Sequence, residues 1–276
     1  MKQKNARNAE FHHKRSLGQN FLTDEALLEQ LVDLTGVGDE DSVLEVGAGA
    51  GDLTRVLARR CKRVTSIEVD DTLLPILRTV LAPYANVRLV HGDALRVNLP
   101  ELTAPLGPFH VVANIPYYLT TDFMTLLLSG GMPLQSINVM VQKEAAERIT
   151  ARPGEEGYGP LSVRAQYFYA PQIALDVPAC LFTPPPKVDS AFVVMPRREK
   201  PKVEVADETL FFRVANAAFA MRRKTMENNL IASFRIPRDT ARQWMAECGL
   251  AAGERGENLS LQAFAALANA GPRFLG

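Results

Sequence analysis

From residue 42 onward, short runs of apolar and β-branched residues alternate with longer stretches whose apolar positions recur at helical spacing. Ser42-Val43-Leu44-Glu45-Val46, Arg63-Val64-Thr65-Ser66-Ile67-Glu68, Val87-Arg88-Leu89-Val90, His110-Val111-Val112-Ala113 and Ile137-Asn138-Val139-Met140-Val141 read as strands. Residues 52–60, 72–81 and 121–129 read as helices between them. Strands joined through helices pair in parallel, so the pattern predicts a doubly wound α/β sheet. Two later segments, Gln166 to Val177 and Ala191 to Met195, flank Pro184-Pro185-Pro186 and read as strands of an antiparallel edge. After Pro196 the stretch Arg197-Arg198-Glu199-Lys200-Pro201-Lys202 reads as a linker. Only helical patterns follow, over 207–220, 225–233, 239–248 and 260–270, with Asp207, Asp239 and Ser260 as N-caps or first-turn residues. The expected organisation is a basic arm over 1–20, an α/β domain over 21–198 and a small helical domain over 199–276.

Composition adds little to that picture, but the placement of charge changes it. The net charge is zero, yet residues 1–16 hold five Lys/Arg against one acid, and residues 197–242 hold eleven against six. The remainder is correspondingly acidic. An acidic body with basic extensions suits a polyanion gripped from its flanks, because Lys and Arg contacts to phosphate supply most non-specific affinity for nucleic acid. Lys14 and Arg15 in the arm, and the run Arg222-Arg223-Lys224, are the candidate phosphate contacts. Cys61, Cys180 and Cys248 are widely separated and lack metal-ligand spacing, so no disulfide framework and no metal site are expected. Neither a signal peptide nor an apolar run long enough to span a membrane is visible, which makes a cytoplasmic protein the expectation. His12 and His13 sit in the arm and His91 and His110 at strand edges, and none has a triad partner at recognisable spacing.

The candidate chemistry lies where strands end. Gly47-Ala48-Gly49-Ala50-Gly51 follows the first strand and opens a helix, a turn that lets backbone approach a ligand closely. Such turns occur in dinucleotide oxidoreductases and in methyltransferases that use S-adenosylmethionine. The third glycine comes one residue earlier than in the dinucleotide fingerprint. Glu68, in Ile67-Glu68-Val69-Asp70, can accept from both hydroxyls of a ribose. Asp93, in His91-Gly92-Asp93-Ala94, can accept from an adenine amine. Asn114-Ile115-Pro116-Tyr117 then offers the Asn114 side-chain oxygen and the Ile115 carbonyl to the two hydrogens of an exocyclic amine, with the Tyr117 ring as a stacking face. Those groups suit methylation of an adenine amine without a metal or a strong general base.

Taken with Lys14-Arg15-Ser16-Leu17-Gly18-Gln19-Asn20-Phe21-Leu22, Gln142-Lys143-Glu144, Tyr158-Gly159-Pro160-Leu161-Ser162, Phe182-Thr183-Pro184-Pro185-Pro186-Lys187-Val188-Asp189-Ser190 and Arg222-Arg223-Lys224-Thr225-Met226, this set resembles the ribosomal RNA adenine dimethyltransferases nearly end to end. Within that family the likeness is greatest to the bacterial small-subunit, kasugamycin-resistance type. The resemblance implies a class I S-adenosylmethionine-dependent methyltransferase fold with a C-terminal all-helical domain. It also implies dimethylation at N6 of two adjacent adenines near the 3′ end of 16S rRNA, in a small-subunit assembly intermediate, by a monomer. It places Asn20 and Leu22 near the methionine part of S-adenosylmethionine, Gly47 with Gly49 and Gly51 at the glycine turn, and Glu68 with Val69 at the ribose. Asp93 and Ala94 fall at the cofactor adenine, Asn114 at the junction with the target, and Phe182 stacked on the flipped adenine opposite Tyr117. The chain departs from the family at Tyr118, where a second Asn is usual. A large-subunit rRNA methyltransferase of the antibiotic-resistance type and an assembly factor with secondary methylation remain alternatives.

Overall fold

The computed structural model describes residues 19–221 and 223–275. Lys14, Arg15 and Arg222 lie outside the described residues. The first elements are a two-residue strand β1 (Phe21–Leu22) and helix α1 (Glu25–Thr35), which precedes the alternating pattern. Helix α1 starts where the Asp24 carboxylate accepts from the Ala26 and Leu27 N–H groups at 3.0 and 3.2 Å, and ends at Gly36, whose φ is 72°.

The strand and helix pairs β2 (Ser42–Val46), α2 (Asp52–Arg60), β3 (Arg63–Glu68), α3 (Leu74–Leu81) and β4 (Val87–His91) come next. They are followed by α4 (Leu99–Thr103), β5 (Phe109–Asn114), α5 (Thr120–Leu128), β6 (Leu134–Gln142), α6 (Lys143–Thr150) and α7 (Pro160–Phe168). The strand elements close with β7 (Gln172–Val177), a two-residue β8 (Phe182–Thr183) and β9 (Ser190–Pro196). Seven strands form one sheet in the order β4-β3-β2-β5-β6-β9-β7. Neighbours are parallel from β4 through β6, and β9 runs antiparallel to both β6 and β7. The strand order departs in opposite directions from β2 and β5, so the crevice outside their C-terminal ends is the position where such sheets hold ligands.

Side chains alternate across this sheet with period two and so build two apolar layers. Val111, Ala113, Val139, Val141, Ala191 and Val193 pack on the side of α5, whereas Val43, Val64, Val112, Met140, Phe192 and Val194 pack with Leu28, Leu31, Val32, Val56 and Leu57 of α1 and α2.

One expectation needs correction. Residues 166–168 close helix α7 instead of opening a strand, because Pro160 at the first helical turn and the Gly159 N–H donating to Ser162 Oγ at 3.1 Å start a helix that runs on to Phe168. The two later strands do form the antiparallel edge expected of them, with β9 against β6 and β7 outermost.

Helices alone follow β9: α8 (Glu208–Ala218), α9 (Met226–Phe234), α10 (Arg238–Glu247), α11 (Leu261–Ala270) and α12 (Pro272–Leu275). Asp207 and Ser260 cap α8 and α11 through their side chains, and Asp239 falls in the first turn of α10. These helices pack around Trp244, Phe211 and Phe264, and the same core takes in Ala151, Tyr158, Val163 and Tyr167 from the segment containing α7.

Candidate functional site

The glycine turn is tied to its surroundings by contacts that need bare backbone. Gly47 has φ 81°, and a Cβ there would stand 3.4 Å from both the Asn114 carbonyl oxygen and Pro116 Cδ. A Cβ on Gly49, at φ 58°, would come within 2.9 Å of the Phe21 ring. The turn therefore touches β5 on one side and the 19–22 segment on the other.

Gly51 behaves differently. It does not line the cleft, and a Cβ there would press on Leu77 of α3 at 3.1 Å. That contact packs the start of α2 closely against α3.

Glu68 ends β3 with its carboxylate buried. One oxygen accepts from the Gly49 N–H at 2.8 Å and the other from the Asp70 N–H at 2.8 Å. Burial pushes this carboxyl above the usual range, while the N–H groups of Asp70, Gly49 and Val69 oppose that shift. Glu68 thus holds the glycine turn in place as well as facing the cleft. Asp70 in turn accepts from Gln19 Nε2 at 2.7 Å, which fastens the 19–22 segment to the end of β3. At the end of β4, the half-exposed Asp93 accepts from the Leu95 N–H at 2.9 Å. Ala94 beside it is buried, and Val69 is exposed at the cleft rim.

At the end of β5, Asn114 donates from Nδ2 to the Asn20 carbonyl oxygen at 3.2 Å. That bond fixes which way the amide faces and leaves Oδ1 as an acceptor. The Ile115 N–H is taken by the Met140 carbonyl at 3.2 Å, and the Ile115 side chain is buried. Tyr117 begins a short 3₁₀ turn over Tyr117–Leu119, and its hydroxyl pairs with Ser190 Oγ at 2.7 Å, reaching across to β9. Burial pushes the Tyr117 phenol up, and the Ser190 bond opposes this.

The structure gathers Asn20, Leu22, Gly47, Gly49, Glu68, Val69, Asp93, Ala94, Asn114, Ile115 and Tyr117 around one cleft, together with Gln19, Phe21, Pro116 and Tyr118. It does not bring Phe182 there. Phe182 pairs with Leu22 in the antiparallel β1–β8 ribbon and is only 3% exposed, in the apolar layer with Leu28 and Val177. Its ring supports the 19–22 segment from behind. Gln19 and Ser190 are the contributors that residue patterns miss. Both fall inside recognisable motifs, but nothing in their spacing shows that one grips Asp70 and the other Tyr117.

The cleft is an acceptor surface. Among its described lining residues Asp52, Glu68 and Asp93 are acidic, and none is Lys, Arg or His. A pyrophosphate would meet carboxylates there. A ligand bringing positive charge, hydroxyls and an amine fits, and S-adenosylmethionine brings all three. Among the described residues no group of three or more His, Cys, Asp or Glu could hold a metal ion, and no helix is long and apolar enough to cross a membrane.

On the helical side, Arg223 and Lys224 are exposed in the connection between α8 and α9. At the far end of the sheet, His110 does have partners: Ser136 Oγ lies 2.7 Å from Nδ1, and Asp41 Oδ1 lies 3.4 Å from Nε2. Asn138 Nδ2 donates to the same Ser136 oxygen at 2.7 Å, and the group pins β5 to β6.

A parallel sheet with a glycine turn and two carboxylates at successive strand ends, beside an oriented amide at the next, defines a class I S-adenosylmethionine-dependent methyltransferase. The family model for ribosomal RNA adenine dimethylase matches residues 10–270. Relatives from Geobacillus sp. and Shouchella clausii, each named ribosomal RNA small subunit methyltransferase A, are 41% and 44% identical over 94% of this chain and 92% and 90% of their own. Among solved structures, 23S rRNA methyltransferase ErmE is similar with a TM-score of 0.72 and 27% identity, over 91% of this chain and 99% of its own. A dimethyladenosine transferase from Plasmodium falciparum shares the fold with a TM-score of 0.74 at 23% identity, over 90% and 95% of the two chains. The chain belongs to the ribosomal RNA adenine dimethylase family, and is an S-adenosylmethionine-dependent rRNA adenine dimethyltransferase.

Proposed function

We propose that this enzyme dimethylates N6 of two adjacent adenines near the 3′ end of 16S rRNA, acting as a cytoplasmic monomer on a small-subunit assembly intermediate. The carrying observation is the Asn114 amide, oriented by the Asn20 carbonyl so that its oxygen faces a cleft of acceptors. S-Adenosylmethionine supplies the electrophilic methyl group. Asn114 Oδ1 and the Ile115 carbonyl hold the two amine hydrogens, which frees the nitrogen lone pair from the ring and aims it. Positioning of this kind can lower a barrier by roughly 7–11 kcal/mol. Tyr117 offers the flipped base a stacking face, which returns part of the few kcal/mol lost on unstacking it. Glu68 with Val69 holds the ribose, Asp93 with Ala94 the adenine, and Asn20, Leu22, Gly47 and Gly49 the methionine side. Arg223 and Lys224 contact phosphate.

The small-subunit assignment is favoured over a large-subunit one by identity of 41–44% to small-subunit methyltransferases against 27% to ErmE. Labelled S-adenosylmethionine given to undermethylated small subunits, large subunits and naked rRNA, with mapping of the product, tests this reading. Label is expected on small-subunit RNA at adjacent adenines. Label on large-subunit RNA alone would overturn the assignment.

A further inference from the structure

Tyr117 and Tyr118 are neighbours in sequence but serve opposite sides of the cleft. Tyr117 turns toward β9 and binds Ser190. Tyr118 is 57% exposed and lines the cleft together with Val69, itself 39% exposed, and Asp93. The charges around the two phenols divide in the same way. Asp189 bears on Tyr117, whereas Tyr118 is raised by burial and then by Asp93 and Glu68.

The backbone beneath Tyr118 is held firmly. Leu119 is buried, and its N–H donates to the Pro116 carbonyl at 2.9 Å, so the exposed ring projects from a fixed turn. A large aromatic face in water contributes nothing to the core, and an adenosine lying between Glu68 and Asp93 would have that face beside it.

We propose that Tyr118 closes over the adenosine half of the cofactor, opposite Val69, and sets how tightly both the methyl donor and its demethylated product are held. This rests on the reading that Glu68 and Asp93 face the adenosine. Because donor and product share that half, tighter holding also slows product release.

The test is calorimetric titration of the full chain with S-adenosylhomocysteine and with 5′-methylthioadenosine, which lacks the amino-acid part. Wild type is compared with Tyr118→Ala, Tyr118→Phe and Asp93→Ala. Tyr118→Ala should weaken both ligands by a similar factor of about tenfold, the low end of what one base–aromatic stack contributes, and Tyr118→Phe should stay within about twofold of wild type. If Tyr118→Ala changes neither affinity while Asp93→Ala weakens both, the ring does not cover the adenosine and this proposal falls alone. Loss confined to S-adenosylhomocysteine would put the ring on the amino-acid half, which also overturns it. If Asp93→Ala has no effect either, the cofactor orientation falls with it.

Discussion

Glu45 is the residue whose chemistry is most at odds with its place. It sits 1% exposed in β2, just before the glycine turn, accepting from Thr54 Oγ1 and Ser66 Oγ at 2.6 Å each, while its second oxygen has no partner among the described residues. Burial foremost, opposed by those hydroxyls and reinforced by Glu68 and Asp52, pushes its carboxyl from 4.5 up to about 7. A group whose folded value lies above its unfolded value binds more protons when folded. The stability contributed by this group is then fully present below about 4.5 and is lost as pH rises through about 7, by roughly 3 kcal/mol. Glu45→Gln keeps an acceptor for the hydroxyls and removes the charge, so urea unfolding at pH 5 and pH 8 should show a flatter pH dependence than wild type. Nothing in the run Ser42 to Val46 reveals this, since a single acid in an apolar strand reads as the exposed face of an alternation, whereas helices cover both faces here. The glycines show the same limit: their spacing marks a turn, but only the contact with Leu77 separates Gly51 from Gly47 and Gly49. Gly51→Ala should destabilise by about 1–3 kcal/mol through its φ of 83° and that contact. Its affinity for S-adenosylhomocysteine, measured in the folded fraction, should stay close to wild type.

Between elements, the joint of α7 with α8 is the most consequential contact. Tyr167 and Phe168 from α7 meet Phe211 and Phe212 from α8 at ring separations of 4.8–5.7 Å, Arg164 lies 3.9 Å over Phe212, and the Tyr167 hydroxyl donates to Glu208 at 3.0 Å. Phe211→Ala should cost about 3–5 kcal/mol in chemical denaturation, because that ring is fully buried. Most of the sheet is legible in the sequence because its strands are apolar runs between helical stretches. The segment 160–169 is not, since Tyr167-Phe168-Tyr169 carries strand-forming side chains, and the start signal at Gly159-Pro160 prevails only with the burial of Val163, Ala165 and Tyr167. The pairing of β1 with β8 is invisible for another reason: two residues on each side have no period to read. That short ribbon is what removes Phe182 from the cleft.

Over the whole molecule, the C-terminal helices share their core with Tyr158, Val163 and Tyr167. A chain ending at residue 198 would expose those side chains, and it should aggregate or elute as oligomers in size-exclusion chromatography, where the full chain should not. Charge acts at the same scale. The basic excess of residues 197–242 against an acidic remainder is legible from composition alone, and Arg223 and Lys224 are exposed within it. Replacing both with Ala should weaken RNA binding and lower the log–log salt slope by roughly 0.7–0.9 for each phosphate no longer neutralised. An unchanged slope would take that turn out of the interface.

The bond from Asn114 to Asn20 has a consequence for the polarity of the target pocket. An amide rotated end for end keeps its shape but exchanges acceptor for donor, and an amine hydrogen would then face another hydrogen. The group preventing that exchange is a main-chain carbonyl, which every residue type carries. The side chain at position 20 is therefore free to change without inverting the pocket, whereas a shift of the chain at that point would invert it with no atom of Asn114 altered.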